Sequence, residues 1–267
     1  MFFNIEIMID NLSIAEEKIN EYLSVLKSIY PEESSTPYTF QDLKRTYESI
    51  PFGDNLIVVL FDHRTSSMFY VSENIATISG YTQKTILKWG GLVLFKALDY
   101  SHYSFLYAIL KMKKNFDDRI SLGNKAAIQF FCCGLKFVDR HKKIKRGVFR
   151  SKPLLFDKNG QVSVSAFFGE EISHLLKGEH YWMRVQCQNE SLAYVQQKGK
   201  KVFQDILSNR EKEILKLVMK KKTNQEIAEI VHLSKFTVET HRKNMIKRIG
   251  AIDSTAMLHL CKMTCVL

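Results

Sequence analysis

The run from Leu207 to Ser254, LSNREKEILKLVMKKKTNQEIAEIVHLSKFTVETHRKNMIKRIGAIDS, constrains this chain more than any other feature, because its helix starts and stops are spelled out. Ser208 with Glu211, and Thr223 with Glu226, have the capping-box spacing, in which each side chain satisfies a free backbone donor of the other. Two helix starts follow. Apolar spacing predicts that the first helix buries Ile214, Leu215, Leu217 and Val218, and that the second buries Ile227, Ala228, Ile230 and Val231. Leu233 is expected to plug the turn after the second helix. Ser234 then caps a third helix that runs to Gly250, a favoured residue just past a helix end, and Asp253 or Ser254 can start a fourth.

At about 100° per residue, Val238, Met245 and Ile249 fall in one narrow stripe of the third helix. That stripe is the expected core. The opposite side carries Phe236, Thr240, Lys243 and Lys247, with Lys235 and Glu239 toward one edge, a set of donors, one acceptor and apolar surfaces suited to base edges in a major groove. Lys220, Lys221, Lys222, Arg242 and Arg248, with Thr223, Asn224, Ser234 and Thr237 at the helix starts, are the candidates for phosphates, which give affinity and register without sequence information. His241, near the core edge, reads as a packed structural histidine.

About fifty residues resemble the LuxR/GerE-type helix-turn-helix family. The matching residues are Leu207, Arg210, Glu211, Glu213 and Leu215 in the first helix; Asn224, Glu226, Ile227 and Ala228 in the second; and Ser234, Thr237, Val238, His241, Asn244, Ile249 and Gly250 in the third. The resemblance implies an all-α four-helix domain that binds double-stranded DNA, with the third helix in the major groove and the fourth often dimerising. Many members carry a basic residue where this chain has Glu239. A carboxylate accepts from cytosine, so the departure bears on base preference and not on binding.

Charge follows the same division. Of 267 residues, those from Lys198 onward hold fifteen Lys and Arg against seven Asp and Glu, whereas the first 197 hold 24 against 21. The composition, 45% hydrophobic with four prolines, is globular,. The acidic amino-terminal stretch has no signal-peptide pattern, no apolar run approaches the roughly 20 residues of a membrane span, and five cysteines lack metal spacing. A cytoplasmic protein with reduced, packed thiols and no membrane partner is expected.

The front of the chain reads as an amphipathic helix over Ile14–Tyr30 and a second over Thr39–Ser49, with Thr39 as cap and Asp42 three residues on. Strands are expected at Leu56–Phe61 and Met68–Val71, then short helices at Glu73–Ile78 and Thr82–Trp89 and a longer one over Ser101–Lys113. A three-stranded meander follows at Ile128–Val138, Gly147–Phe156 and Val162–Phe168, its last turn marked by Asn159-Gly160. A hairpin at Tyr181–Gln188 and Leu192–Gln197 precedes a basic, flexible connection at Lys198–Lys201.

This order, with the stretch YVSENIATISGYTQKTIL from Tyr70 to Leu87, resembles a PAS domain. The resemblance implies an α+β fold with a five-stranded antiparallel sheet that senses a small molecule or another signal, or dimerises. The expected division is 1–50 as a helical segment, 51–175 as the PAS-like domain, 176–203 as hairpin and linker and 204–267 as the helix-turn-helix domain. Phe130, Cys132, Phe149 and Phe167 are pocket candidates, although aromatics on strands are ordinarily core. Alternation sends only one of Cys132 and Cys133 inward. His102, at the start of the longer helix, reads as an exposed cap-region residue rather than a haem ligand, and nothing selects a cofactor.

The reading is therefore a homodimeric, DNA-binding transcription regulator with a small-molecule or other signal at its front domain. The alternative is a signalling module whose C-terminal domain docks a protein. No glycine-rich phosphate loop, metal cluster or nucleophile-base pairing points to an enzyme.

Overall fold

The computed structural model describes residues 39–50, 54–99, 102, 112, 115–116, 119–120, 122–188, 190–197, 199–203 and 205–266. The helix expected over Ile14–Tyr30 lies outside them, as does nearly all of that expected over Ser101–Lys113. Thr39 and Asp42 form a capping box that opens α1, Phe40–Glu48. The strands β1 (Leu56–Asp62) and β2 (Ser67–Val71) lead into the short helices α2 (Ile75–Ser79), α3 (Gln83–Trp89) and α4 (Val93–Ala97). Next come β3 (Gln129–Val138), β4 (Ile144–Phe156) and β5 (Val162–Glu171), then β6 (Tyr181–Cys187), β7 (Glu190–Gln197) and β8 (Gly199–Phe203).

All eight strands join one antiparallel sheet in the order β2-β1-β5-β4-β3-β6-β7-β8. The two strands, short helices and meander stand in the expected order, but the five-stranded sheet is corrected to eight. Phe130 and Cys132 of β3 pair with Val185 and Met183 of β6, so the hairpin extends the sheet instead of hanging from it. The stretch expected as a flexible connection is itself largely strand, with Ala193 to Gln197 facing Phe203 to Gly199. Unpaired donors along the edge of β7 favour this outcome, and a composition-based reading of lysines and glycine does not register them.

The sheet is buried on both faces. On one, Cys132, Met183, Val185 and Tyr194 pack with Ile78, Leu98, Met112, Phe116 and Ile120. On the other, Cys133, Val148, Trp182, Ala193 and Val195 share a core with the C-terminal helices. Strand alternation therefore holds for Cys132 and Cys133, yet both are buried, because each face has a cover. Burial pushes the Cys133 thiol up to about 12 and Cys132 well above its ordinary value, so both stay protonated and pack as apolar groups,. All five cysteines are free thiols.

His102 is also corrected. It is 1% exposed, with its ring 4.2 Å from that of Tyr181, and burial lowers its pKa to about 4, which keeps it neutral at physiological pH,. Among the described residues no helix is long and apolar enough to cross a membrane.

Candidate nucleic-acid interface

Four helices close the chain: α5 (Asn209–Met219), α6 (Asn224–Ile230), α7 (Lys235–Ile249) and α8 (Ser254–Met263). Both expected capping boxes are formed, Ser208 with Glu211 and Thr223 with Glu226. The Glu226 carboxyl is held down to about 2 by the hydrogen bond from Lys222 and by the Thr223 donors. Ser234 caps α7 through Thr237 N–H at 3.0 Å, and Gly250 ends it with a left-handed φ of 80°. Asp253 caps α8 by accepting from Ala256 N–H.

The core stripe is as spaced: Ile214, Leu215, Ile227, Val238, Met245 and Ile249 are fully buried. Two members of the expected core differ. Leu217 is half-buried, and Ile230, the last residue of α6, is 49% exposed.

Lys235, Phe236, Thr240, Lys243 and Lys247 are exposed on α7, Phe236 at 77%. Thr240 Oγ1 donates back to the Phe236 carbonyl at 2.9 Å, which leaves its methyl and an oxygen lone pair for a ligand,. Glu239 is half-buried and accepts from Asn224 Nδ2 at 3.4 Å. The same Asn224 accepts from Arg242 at 2.6 Å, and Arg242 also donates to Ser254. Asn224 thus ties the start of α6 to α7, and it fixes both a carboxylate and a guanidinium beside the exposed face.

Among the phosphate candidates, Lys220, Lys221 and Lys222 are exposed, Lys222 paired with Glu226 at 2.7 Å. Thr223 and Ser234 do the capping, and the Thr237 hydroxyl is hydrogen-bonded to that of Ser234, so all three are engaged within the protein. Arg248 is turned inward. Its guanidinium bonds the buried Glu211 carboxylate at 2.6 Å and braces α7 against α5.

A hub that sequence spacing does not reveal joins this domain to the sheet. Asp205 accepts from Arg184 at 2.7 and 3.0 Å, from Lys212 and from Ser191. Burial alone would raise its pKa, but these donors outweigh burial and hold the carboxyl below the usual range. Trp182 Nε1 donates to the carbonyl of Ile249 at 3.1 Å, and Lys177 N–H donates to that of Gly250 at 2.8 Å. An Arg or Trp on a strand reads as core or surface until its distant partner is known.

Of the pocket candidates, Phe130, Cys132 and Phe149 share the helix-covered core, and the Phe149 ring lies across Gly147 and Gly169, where an added Cβ would come within 3 Å of it. Phe167 sits apart, edge-on to Phe61 at 6.0 Å.

Three capped helices around a buried stripe, the third with its outer side open, define a helix-turn-helix domain. Residues 205–261 match the family described as bacterial regulatory proteins, luxR family, and the C-terminal domain belongs to it. The chain is 56% identical over 43 residues to the uncharacterized response regulatory protein YgeK of Escherichia coli, covering 16% of this chain and 29% of that protein. It is 46% identical over 54 residues to the transcriptional regulatory protein MctR of Rhizobium johnstonii, covering 20% and 25%. The chain thus spans less than a third of either relative. Among solved structures it is similar to Vibrio cholerae VqmA at 15% identity over 86% of this chain and 89% of that one, with a TM-score of 0.30. A PAS domain from Colwellia psychrerythraea gives 12% identity over 49% and 98%, with a TM-score of 0.36.

Proposed function

We propose that this chain is a sequence-specific, double-stranded DNA-binding transcription regulator, with a PAS-like front part that receives a signal or holds two copies together. The observation that carries the reading is the open face of α7. Lys235, Phe236, Thr240, Lys243 and Lys247 stand exposed on a helix whose opposite stripe is core in a luxR-family domain. Glu239, Thr240 and Lys243 are the proposed base readers, and Lys220 and Lys221 the proposed phosphate contacts. We place the division between the two parts near residue 204, and the working location in the cytoplasm. A homodimer gives two such helices for two half-sites.

The test is a fluorescence anisotropy titration of the full chain against genomic duplexes over a range of salt. Binding should weaken steeply with salt, and Lys243→Glu with Thr240→Ala should cost at least about tenfold on the selected fragment, the loss expected for about 1–3 kcal/mol per base contact. Binding that ignores salt, or that survives the double substitution, sinks the reading. A protein-docking role would instead give partner binding with no duplex retained.

A further inference from the structure

The β3–β4 hairpin leaves the sheet as a separate ribbon. β6 pairs with β3 only across Gln129–Cys133, and β5 meets β4 from Gly147 onward, so beyond Leu135 the two strands pair only with each other, apart from a single bridge from Phe137 to Leu98. A bulge at Gly134 sets the departure. Its φ is 85°, and a Cβ there would lie 2.5 Å from the His180 carbonyl oxygen, so only glycine fits,.

The tip of this ribbon is rigid. Asp139 Oδ1 accepts from the N–H groups of His141 and Lys143 at 2.9 Å each, and Asp139 and Lys143 close the turn through their backbones at 3.0 Å. Arg140 N–H donates to the Ser79 carbonyl at 2.9 Å, and Lys145 to that of Ile78, which pins the tip to the end of α2. The one carboxylate of the turn is thereby buried and faces inward. Arg140, His141, Lys142 and Lys143 all face solvent. No described carboxylate lies within 4.0 Å of Arg140, Lys142 or Lys143.

Charge is concentrated here. Lys136 to Arg146 hold six Lys and Arg against one Asp, a net of +5, while the first 197 residues together are only +3. Without this ribbon that region is net negative. A charge run that merely keeps a protein in solution needs neither a preformed turn nor the inward placement of its acid. A rigid cationic tip with no outward anion suits a partner that is itself a regular array of anions.

We infer that the β3–β4 tip is a second DNA contact, in which Arg140, Lys142 and Lys143 bind backbone phosphates of the duplex outside the segment read by α7. The contact is to phosphate and not to bases. Three cationic side chains on a short turn supply charge to the backbone, and contacts of that kind give affinity and register without sequence information. It raises affinity equally on every sequence and leaves base preference to α7. The inference rests on the DNA-binding reading above, and its test separates the two.

The experiment compares the full chain with an Arg140→Ala, Lys143→Ala variant on a long genomic duplex. A control variant, Lys84→Ala with Lys88→Ala, removes the same charge from exposed positions of α3. At about 0.9 per phosphate, loss of two contacts should lower the slope of log affinity against log salt by about 2 and weaken binding at least tenfold at ~0.1 M salt, by the same factor on any sequence. The control should leave both unchanged. A tip variant with the wild-type slope, or a control that loses as much, overturns the hairpin contact while the α7 reading stands. Tip-dependent binding to phosphatidylserine vesicles with duplex affinity unchanged overturns it as well. Failure of the unsubstituted chain to retain any duplex overturns the reading beneath it. Thermal unfolding of both variants at the wild-type midpoint shows that the loss is one of contact; if the tip variant unfolds early, Lys143→Glu alone must lower the slope by about 1 or the contact is refuted.

Discussion

The two ends of α7 are built for different tasks. Its first half is held within the helical domain, by the Ser234 cap, the buried Val238 and the Asn224–Glu239 contact, and it offers Lys235, Phe236, Thr240 and Lys243 to solvent. Its last turn is fastened from several directions. Trp182 takes the Ile249 carbonyl, Arg248 meets the buried Glu211, Gly250 lies against His180, and Ala251 bridges to Leu176. A helix of fifteen residues, about 22 Å long, is thus tied to the sheet at one end only. Folding energy is concentrated at one end and ligand chemistry at the other, so substitutions at the two ends should move different observables.

The largest expected effect is at the fastened end. Trp182 is fully buried between the sheet and the C-terminal helices, so Trp182→Ala should remove about 3–5 kcal/mol of stability and leave the Ile249 carbonyl without its indole donor. Urea unfolding measures it. A loss below about 1 kcal/mol would break the comparison, because the sheet would then not be what holds this end.

Gly250→Ala should cost somewhat less, about 2–3 kcal/mol in all. The left-handed φ contributes about 1–2 kcal/mol, and the remainder comes from a Cβ placed 2.8 Å from that of His180,. His180→Gly added to Gly250→Ala should recover the contact part and not the backbone part. Full recovery would mean that the docking contact alone demands glycine. No recovery would mean that helix termination alone does.

What was legible in the sequence follows the range of the interactions. Ser208 with Glu211, Thr223 with Glu226, Ser234 and Gly250 act within four residues, so their types and spacing are sufficient, and the exposed face of α7 follows from helical geometry once its ends are known. The Asp157–Gly160 turn was legible for the same reason, with Asp157 Oδ1 accepting from Asn159 and Gln161. The docking of Trp182 on Ile249 spans 67 residues, and Arg184 on Asp205 spans 21. Nothing local to either residue names its partner. That Cys132 and Cys133 are both buried was missed through the same gap, since alternation assigns faces but not what covers them. Strand β8 was missed because pairing with β7 overrides the weak strand propensity of lysine and glycine.

The smallest effect on folding, and the sharpest test of the comparison, is at the free end. Phe236→Ala should change stability by no more than about 0.5 kcal/mol, since a side chain 77% exposed loses little packing on truncation,. If the ring meets a thymine methyl, affinity for the selected duplex should fall about tenfold while affinity for unrelated duplexes stays the same, because an apolar base contact contributes to specificity and not to phosphate binding. Competition anisotropy with the two duplexes measures the ratio, and the slope with salt should not move. A loss of stability near 2 kcal/mol would place the ring in an internal contact. An equal loss on both duplexes would make it a general surface contact. Either result would shift the boundary between the held and the reading parts of α7 toward the amino end of the helix.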